Sequence, residues 1–520
     1  MKSKIVFCDE FDMLQEHPNY GYKGSKIKLP FDKFFRLLKE NKFHSLDTYI
    51  NWDVIFYCNI SNQIINLVRN IRSSLPIYYY LDNKTIYIST NINSILKNLS
   101  SVPSPNPIWM SDYISMSHQS HIETFYQDIK RLPPGYVLQF NNGQLSVRQV
   151  LNYQIKSELR YKKYDDYLHH FAELLKSCVE TAVKESHKIG IELSGGLDSA
   201  SLAKLTQRTI NAQNIFTYSH AQDKSFLYKK VNDERITIKE TLSILNLNQH
   251  QHRFITRKGK GMKSLFQEAI NIGNGVAASH FTTSSLDSYK AMKQDSLTTV
   301  LSGWGGDYCV SHRITARQFQ YNFLKKIKHT AFILQLRRLL LKQPPLRGYE
   351  MENTKEMVSQ LKEMFPEIKN IDTINRWAAF PKRNKKYTNI RELLFHWVQD
   401  NPVIQRIEST HHATFPLGIK YNYPMLHPML VEFILSLPNN ILLPKQQSRK
   451  LFKDTISLFL PDKIAKRDKV PASMYGWALD SYYYDYINNT SFLDKNYTYE
   501  QYFCKTVEEL KDKLTYQNFK

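Results

Sequence analysis

Residues 189–207 read IGIELSGGLDSASLAKLTQ, and the six residues Ser194-Gly195-Gly196-Leu197-Asp198-Ser199 are of types that together suit an anion. Ile189 to Leu193 read as a buried strand, and an apolar helix follows Leu197. Gly195 and Gly196 let the backbone turn tightly and come close to a ligand. The helix beyond them offers unpaired N–H groups and the positive end of its dipole, where phosphate can sit. Ser194 and Ser199 add hydroxyl donors. Asp198 would repel such an anion unless a cation lay between them, and a magnesium ion resolves that conflict. The chemistry spelled out is the binding of a polyphosphate with its metal. A glycine turn closed by a Ser or Asp helix cap is the alternative for a bare Gly-Gly pair.

The elements that must position this loop follow from hydrophobic period. From Lys4 to about Val150 the chain runs in short β-rich pieces, among them KIVFCD, WDVIFYCNI and TIYISTN, and Asn141-Asn142-Gly143 joins two alternating strands as a hairpin. From Tyr164 the period changes: Leu168, Phe171, Leu175, Cys178 and Ala182 fall on one face of an amphipathic helix. Strand, helix and strand then alternate through NIFTYSH, NDERITIKETLSILNL and QHQHRFI, which implies a parallel sheet with right-handed crossovers. Beyond about Arg313 the reading is mostly helical, with basic stretches from Arg317 to Arg347 and a tyrosine-rich tail.

With 520 residues, 42% of them hydrophobic and only 17 glycines, the chain is globular and of more than one domain. The five cysteines, Cys8, Cys58, Cys178, Cys309 and Cys504, show no metal-ligand spacing and read as free thiols of a reducing compartment. The start MKSKIVFCDEF is too short in apolar run for a secretory signal, and no stretch has the length of a membrane span, so the expectation is a cytoplasmic protein without a membrane partner. A net charge of +22 invites nucleic acid as a partner, but the basic residues are dispersed and no recognition motif accompanies them.

SGGLDS after a buried strand resembles the PP-loop of N-type ATP pyrophosphatases, and the chain as a whole resembles the asparagine synthetase B family. The likeness runs through LPIYYYLDNKTIYISTNINSIL and the Arg131-Leu132-Pro133-Pro134-Gly135 stretch, then LSGWGGDYCVSH at 301–312, GIKYNYPMLHPMLVEFILSLPNNILL and LPDKIAKRDKVP. The resemblance implies an α/β protein in two parts. An Ntn-hydrolase-like αββα domain, mostly antiparallel and glutaminase-like, would occupy residues 1–155. A PP-loop parallel-sheet domain of the adenine nucleotide α-hydrolase-like kind, with a helical C-terminal part, would occupy 165–520. It further implies ATP and Mg2+ as cofactors. Ser194, Gly195, Gly196, Asp198 and Ser199 would hold the phosphates, and Asp198 and Asp307 would share magnesium. Leu193, Tyr218 and Ser219 would line the adenine side, and Gly303, Trp304 and Gly305 would form the second nucleotide-side loop. Lys469 would neutralise the leaving pyrophosphate. Read without the resemblance, Asp307 is a helix cap and Lys469 a solvated charge.

Three departures from the family pattern shape the expected function. Lys2 stands where glutamine-dependent members carry the nucleophilic Cys, so the first domain is expected to release no ammonia. Trp304 stands where asparagine synthetases carry Glu and β-lactam synthetases Tyr, either as a platform for an apolar or aromatic acyl group or as loop packing. His427 stands where Asp is frequent, and Tyr308 where an acidic residue is usual. Members without the nucleophile close rings, as β-lactam synthetases and lasso-peptide macrolactam cyclases do. The expectation is therefore an AMP-forming amide ligase acting on a small-molecule or peptide carboxylate, a lasso-type cyclase before an asparagine synthetase. A precursor peptide or its leader-processing partner would be the partner of such a cyclase. The rivals are a catalytically silent binding protein that keeps the fold and a PP-loop enzyme acting on nucleic acid.

Overall fold

A computed structural model describes residues 4–8, 12–14, 17–24, 52–104, 106, 109, 120–153, 158–184, 186–221, 234–256, 268, 280–316, 319, 389–399, 401–445 and 447–467. The first half builds two sheets. Strands β1 (Lys4–Phe7), β2 (Asp12–Leu14), β3 (His17–Gly24), β4 (Trp52–Asn59), β5 (Ile64–Arg69), β6 (Tyr78–Asp82), β7 (Thr85–Ser89), β8 (Lys130–Arg131), β9 (Tyr136–Asn141) and β10 (Gln144–Gln149) sort into the orders β1-β7-β6-β8 and β10-β9-β5-β4-β3-β2. The six-stranded sheet is antiparallel throughout, while β1 joins β7 in parallel. Alternate residues Val54, Phe56 and Cys58 on β4 share a core with Ile86 and Ile88 on β7, so the sheets pack face to face. The expected hairpin is β9–β10, with positive φ at both Asn142 and Gly143 as a two-residue primed turn requires.

The second half is organised by five parallel strands, β11 (Ile189–Glu192), β12 (Ile215–His220), β13 (His252–Ile255), β14 (Thr299–Ser302) and β15 (Lys420–Asn422), in the order β13-β12-β11-β14-β15. The chain builds outward from β11 through β12 to β13, then returns to the other side of β11 with β14. The strand order reverses between β11 and β14, and in open parallel sheets the crevice beyond the strand ends at such a point is where ligands bind. The Tyr164–Val183 helix buries Leu168, Phe171, Leu175 and Cys178 as its period predicts, with Ala182 only partly buried. Each of those fully buried large apolar side chains contributes about 1.5–3 kcal/mol.

Strand β15 is a departure from the helical reading of the C-terminal part. Its three residues are too short to leave a period-two signal, and only pairing with β14 makes them a strand. Apart from Phe319, the basic stretch Arg317 to Arg347 lies outside the described residues, as do the tyrosine-rich tail and Cys504. Cys8 sits just past β1 and is half-buried, whereas Cys58, Cys178 and Cys309 are buried free thiols. No described helix is long and apolar enough to cross a membrane.

The halves are joined by buried charge. Glu408, on the Asn401–Thr414 helix, receives Arg69 at 2.8 Å and Arg131 at 2.9 Å, all three nearly inaccessible to water. Arg69 also donates to the carbonyls of Leu132 and Ser73, and Arg131 to those of His121 and Ser120. Burial opposes the Glu408 charge, yet Arg131 and Arg69 together hold its carboxyl below the usual range. Beside it His412 Nε2 meets Tyr78 Oη at 2.9 Å, and burial pushes the imidazole down to about 4. Replacing Glu408→Gln strands two buried guanidinium groups, and urea unfolding is expected to show a loss of about 3–5 kcal/mol. The unfolded chain restores His412 to its ordinary 6.5, so it binds the proton before the folded chain does. Stability is therefore expected to fall as pH drops from about 6.5 towards about 4, by about 1.4 kcal/mol per pH unit from this histidine. Urea midpoints at pH 7 and pH 5 measure the loss, and the difference should shrink in His412→Gln.

Candidate functional site

The site forms at the sheet's reversal point. Leaving β11, the backbone reaches Ser194 and turns through Gly195, whose φ of +67° places it in the left-handed region that favours glycine. Gly196 caps the Leu197–Thr206 helix, and its carbonyl accepts the Ser199 hydroxyl at 3.1 Å. Ser199 Oγ in turn accepts the Ser194 amide at 3.2 Å and lies 3.3 Å from Ser194 Oγ. Both hydroxyls thus lie against Gly196 at the helix N-terminus.

Leaving β14, the second loop presses onto the same helix end. A Cβ on Gly303 would lie 2.8 Å from the Ser199 amide nitrogen, and one on Gly306 would lie 2.7 Å from Asp198 Oδ1. Side chains at either position would force the loops apart, so glycine there brings Asp307 beside Asp198. Both carboxylates meet one guanidinium. Arg449 Nη1 donates to Asp198 Oδ2 at 3.0 Å while its Nη2 pairs with Asp307, which also holds Arg313. Ser311 completes Asp198 by donating to Oδ1. Arg449 and Asp198 side chains are 8% and 16% exposed against 42% for Asp307, so the crevice opens on the Asp307 side. The donor set suits magnesium: two carboxylates converging on one positive charge provide the few protein oxygens that this ion takes when phosphates supply others.

A second group adjoins the loops. Glu192, at the end of β11, accepts Ser302 Oγ at 2.5 Å and Tyr421 Oη at 2.7 Å, with Arg406 at 4.0 Å. Arg406 also lies over the Trp304 ring at 5.8 Å, and Trp304 packs against Tyr308 and Tyr423. Trp304, on the loop between β14 and Asp307, therefore forms an aromatic cluster with Tyr308 and Tyr423 beside the buried Arg406 and the half-buried Glu192.

Of the residues singled out from sequence, Ser194, Gly195, Gly196, Asp198, Ser199, Gly303, Trp304, Gly305 and Asp307 come together here. Leu193 is buried behind the loop, its N–H donating to the Tyr218 carbonyl and its own carbonyl accepting the Ser219 hydroxyl. The Tyr218 ring turns into the core, where its hydroxyl donates to Asp295 at 2.5 Å, so Tyr218 and Ser219 brace the strand end. Lys469 lies outside the described residues. Arg467, two positions before it, reaches the Gly195 carbonyl at 3.3 Å and is held by Glu240 at 2.8 Å. His427 caps the Pro428–Leu435 helix through Nδ1, with burial pushing its imidazole down to about 4 so that the ring stays a neutral acceptor. Sequence reasoning missed Arg449, Arg406 and Glu192. A carboxylate closing the buried strand IGIE was a signal for Glu192. Arg406 sits among ordinary helical residues and Arg449 just ahead of a short helix, and neither carried one.

The chain is 23% identical over 332 residues to the provisionally named asparagine synthetase (glutamine-hydrolyzing) 2 of Methanocaldococcus jannaschii, spanning 60% of this chain and 59% of that protein. It is 22% identical over 238 residues to asparagine synthetase (glutamine-hydrolyzing) 2 of Bacillus subtilis, spanning 40% of this chain and 32% of that protein. The chain thus matches less than two thirds of the length of either relative. Among structures, NH3-dependent NAD synthetase from Campylobacter jejuni aligns at 15% identity over 44% of this chain and 99% of its own, with a TM-score of 0.19. The asparagine synthase family matches residues 170–519, more than half of the molecule and both loops of the crevice, and the chain belongs to that family.

Proposed function

We propose that the protein is an ATP-dependent, AMP-forming amide ligase whose nucleotide lies on the loop from Ser194 to Ser199. The observation that carries this reading is the convergence of Asp198 and Asp307 beside a glycine-lined helix N-terminus at the sheet's reversal point, in a chain of this family. The helix N–H groups and the Ser194 and Ser199 hydroxyls would bind phosphate oxygens. Asp198 and Asp307 would hold magnesium, which when bound supplies positive charge against the phosphates. A substrate carboxylate oxygen attacks the α-phosphorus, and the bond to the bridging oxygen breaks to release pyrophosphate, whose charge Lys469 would neutralise. An amine then attacks the acyl carbon and AMP leaves with the oxygen that joined them. Residues 1–155 would form a glutaminase-like half and 165–520 the half that uses ATP.

For the acyl substrate we favour a carboxylate with an apolar or aromatic body, such as that of a peptide, as a macrolactam cyclase would take. The support is the face made by Trp304, Tyr308 and Tyr423 beside the phosphate loops. A precursor peptide would then be the partner. A second reading, asparagine synthetase, is supported by the names of the relatives.

Incubation with Mg-ATP and either a candidate peptide, or aspartate with ammonium, should yield AMP and pyrophosphate rather than ADP. Asp198→Asn should lower that yield by about a hundredfold or more while circular dichroism stays unchanged. Unchanged turnover in the variant would refute the assignment of Asp198. Asparagine in the aspartate reaction, with no AMP from peptide, would favour the second reading.

A further inference from the structure

Arg449 occupies the place between Asp198 and Asp307 that a metal would need. The four side chains form an alternating chain, Asp198, Arg449, Asp307 and Arg313, whose charges sum to zero. A guanidinium and a dication cannot share the same two carboxylate faces at contact distance without strong like-charge repulsion.

The way Arg449 is held marks it as placed there at some cost. Its φ of +60° and ψ of 24° lie in the left-handed region, uncommon for a residue with a side chain. Its segment is tied to the far end of the second loop, because Ser448 Oγ donates to the Arg313 carbonyl at 3.0 Å and Ala316 N–H to the Pro444 carbonyl at 3.0 Å. The guanidinium is nonetheless incompletely bound: with the residue 9% exposed, Nε meets no acceptor among the described residues. Each carboxylate also keeps another partner if Arg449 leaves, Ser311 on Asp198 and Arg313 on Asp307.

From this arrangement we propose that Arg449 is a resident counter-cation for Asp198 and Asp307. It keeps free metal out of the crevice and gives way only when metal arrives with the phosphates, to which the released guanidinium then donates. A planar fork of donors is suited to both partners, carboxylate before and phosphate after. The consequence is an order of binding: metal enters with nucleotide and not ahead of it. The second half of the proposal rests on the nucleotide reading of this loop, while the exclusion of free metal does not.

Binding of Mn2+ without nucleotide, followed by electron paramagnetic resonance, tests the exclusion in the full chain. Removing the competing cation in Arg449→Met is expected to tighten Mn2+ by about tenfold or more, and Arg449→Lys should restore weak binding. Structural damage alone would not raise metal affinity, and Arg449→Gln with circular dichroism gives a second variant should the first unfold. Mn2+ binding no tighter in the folded Met or Gln variant than in the wild type would overturn the proposal. Mg-ATP binding, measured in parallel by calorimetry, separates the two readings. It should weaken in Arg449→Met, and equal affinity would refute transfer of the guanidinium to phosphate. Wild type that binds no Mg-ATP would sink the nucleotide reading, while the Mn2+ series would still decide the exclusion.

Discussion

The ion pairs of Arg449 with Asp198 and Asp307 join the two loops that close the crevice, and the surrounding elements can be understood by what they do for that contact. One carboxylate arrives on the first turn of the Leu197–Thr206 helix and the other on the loop after β14. Asp198 is the less exposed of the two carboxylates, and Asp307 lies on the open side of the crevice. Together with Ser311 and Arg313 they make a charge-balanced group that a low-dielectric crevice can hold.

Bringing those loops together is a backbone problem before it is an electrostatic one. Strands β11 and β14 are hydrogen-bonded neighbours in parallel, so their ends emerge side by side. The loops that follow can lie against one helix end only because Gly303 and Gly306 have no Cβ to collide with Ser199 and Asp198. Reversal of the strand order supplies the gap, and the glycines let the polar groups fill its floor. The hydrogen bonds that Glu192 accepts from Tyr421 and Ser302 then link the outer strand β15 to the same floor.

The contact between halves follows a similar logic. Glu408 is charged inside the protein because two arginines from the first half meet it there, and both arginines also donate to backbone carbonyls. Removing water from such a group is costly unless every donor finds an acceptor. The Asn401–Thr414 helix that carries Glu408 also carries Arg406, whose guanidinium lies over Trp304. One helix therefore touches both the first-half sheets and the aromatic face of the crevice.

Much of this was legible in the order of residues. The IGIELSGGLDS run specifies strand, turn and helix locally, since apolar β-branched residues, two glycines and a helix-forming stretch each act on their immediate neighbours. The Tyr164–Val183 helix and the Asn142-Gly143 turn were readable for the same reason. Tertiary structure decided what depends on residues distant in the chain. Asp198 and Arg449 are 251 positions apart, and Arg131 and Glu408 are 277 apart, so no local pattern pairs them. Tyr218 fell to the core instead of the ligand side because alternate side chains of a strand face opposite ways and Asp295 waits on the inner one. Strand β15 exists only because β14 lies beside it. Sequence by itself determined the local elements and the chemistry of the loop; the tertiary structure determined which charges meet, because ion pairing depends on separation in space and not along the chain.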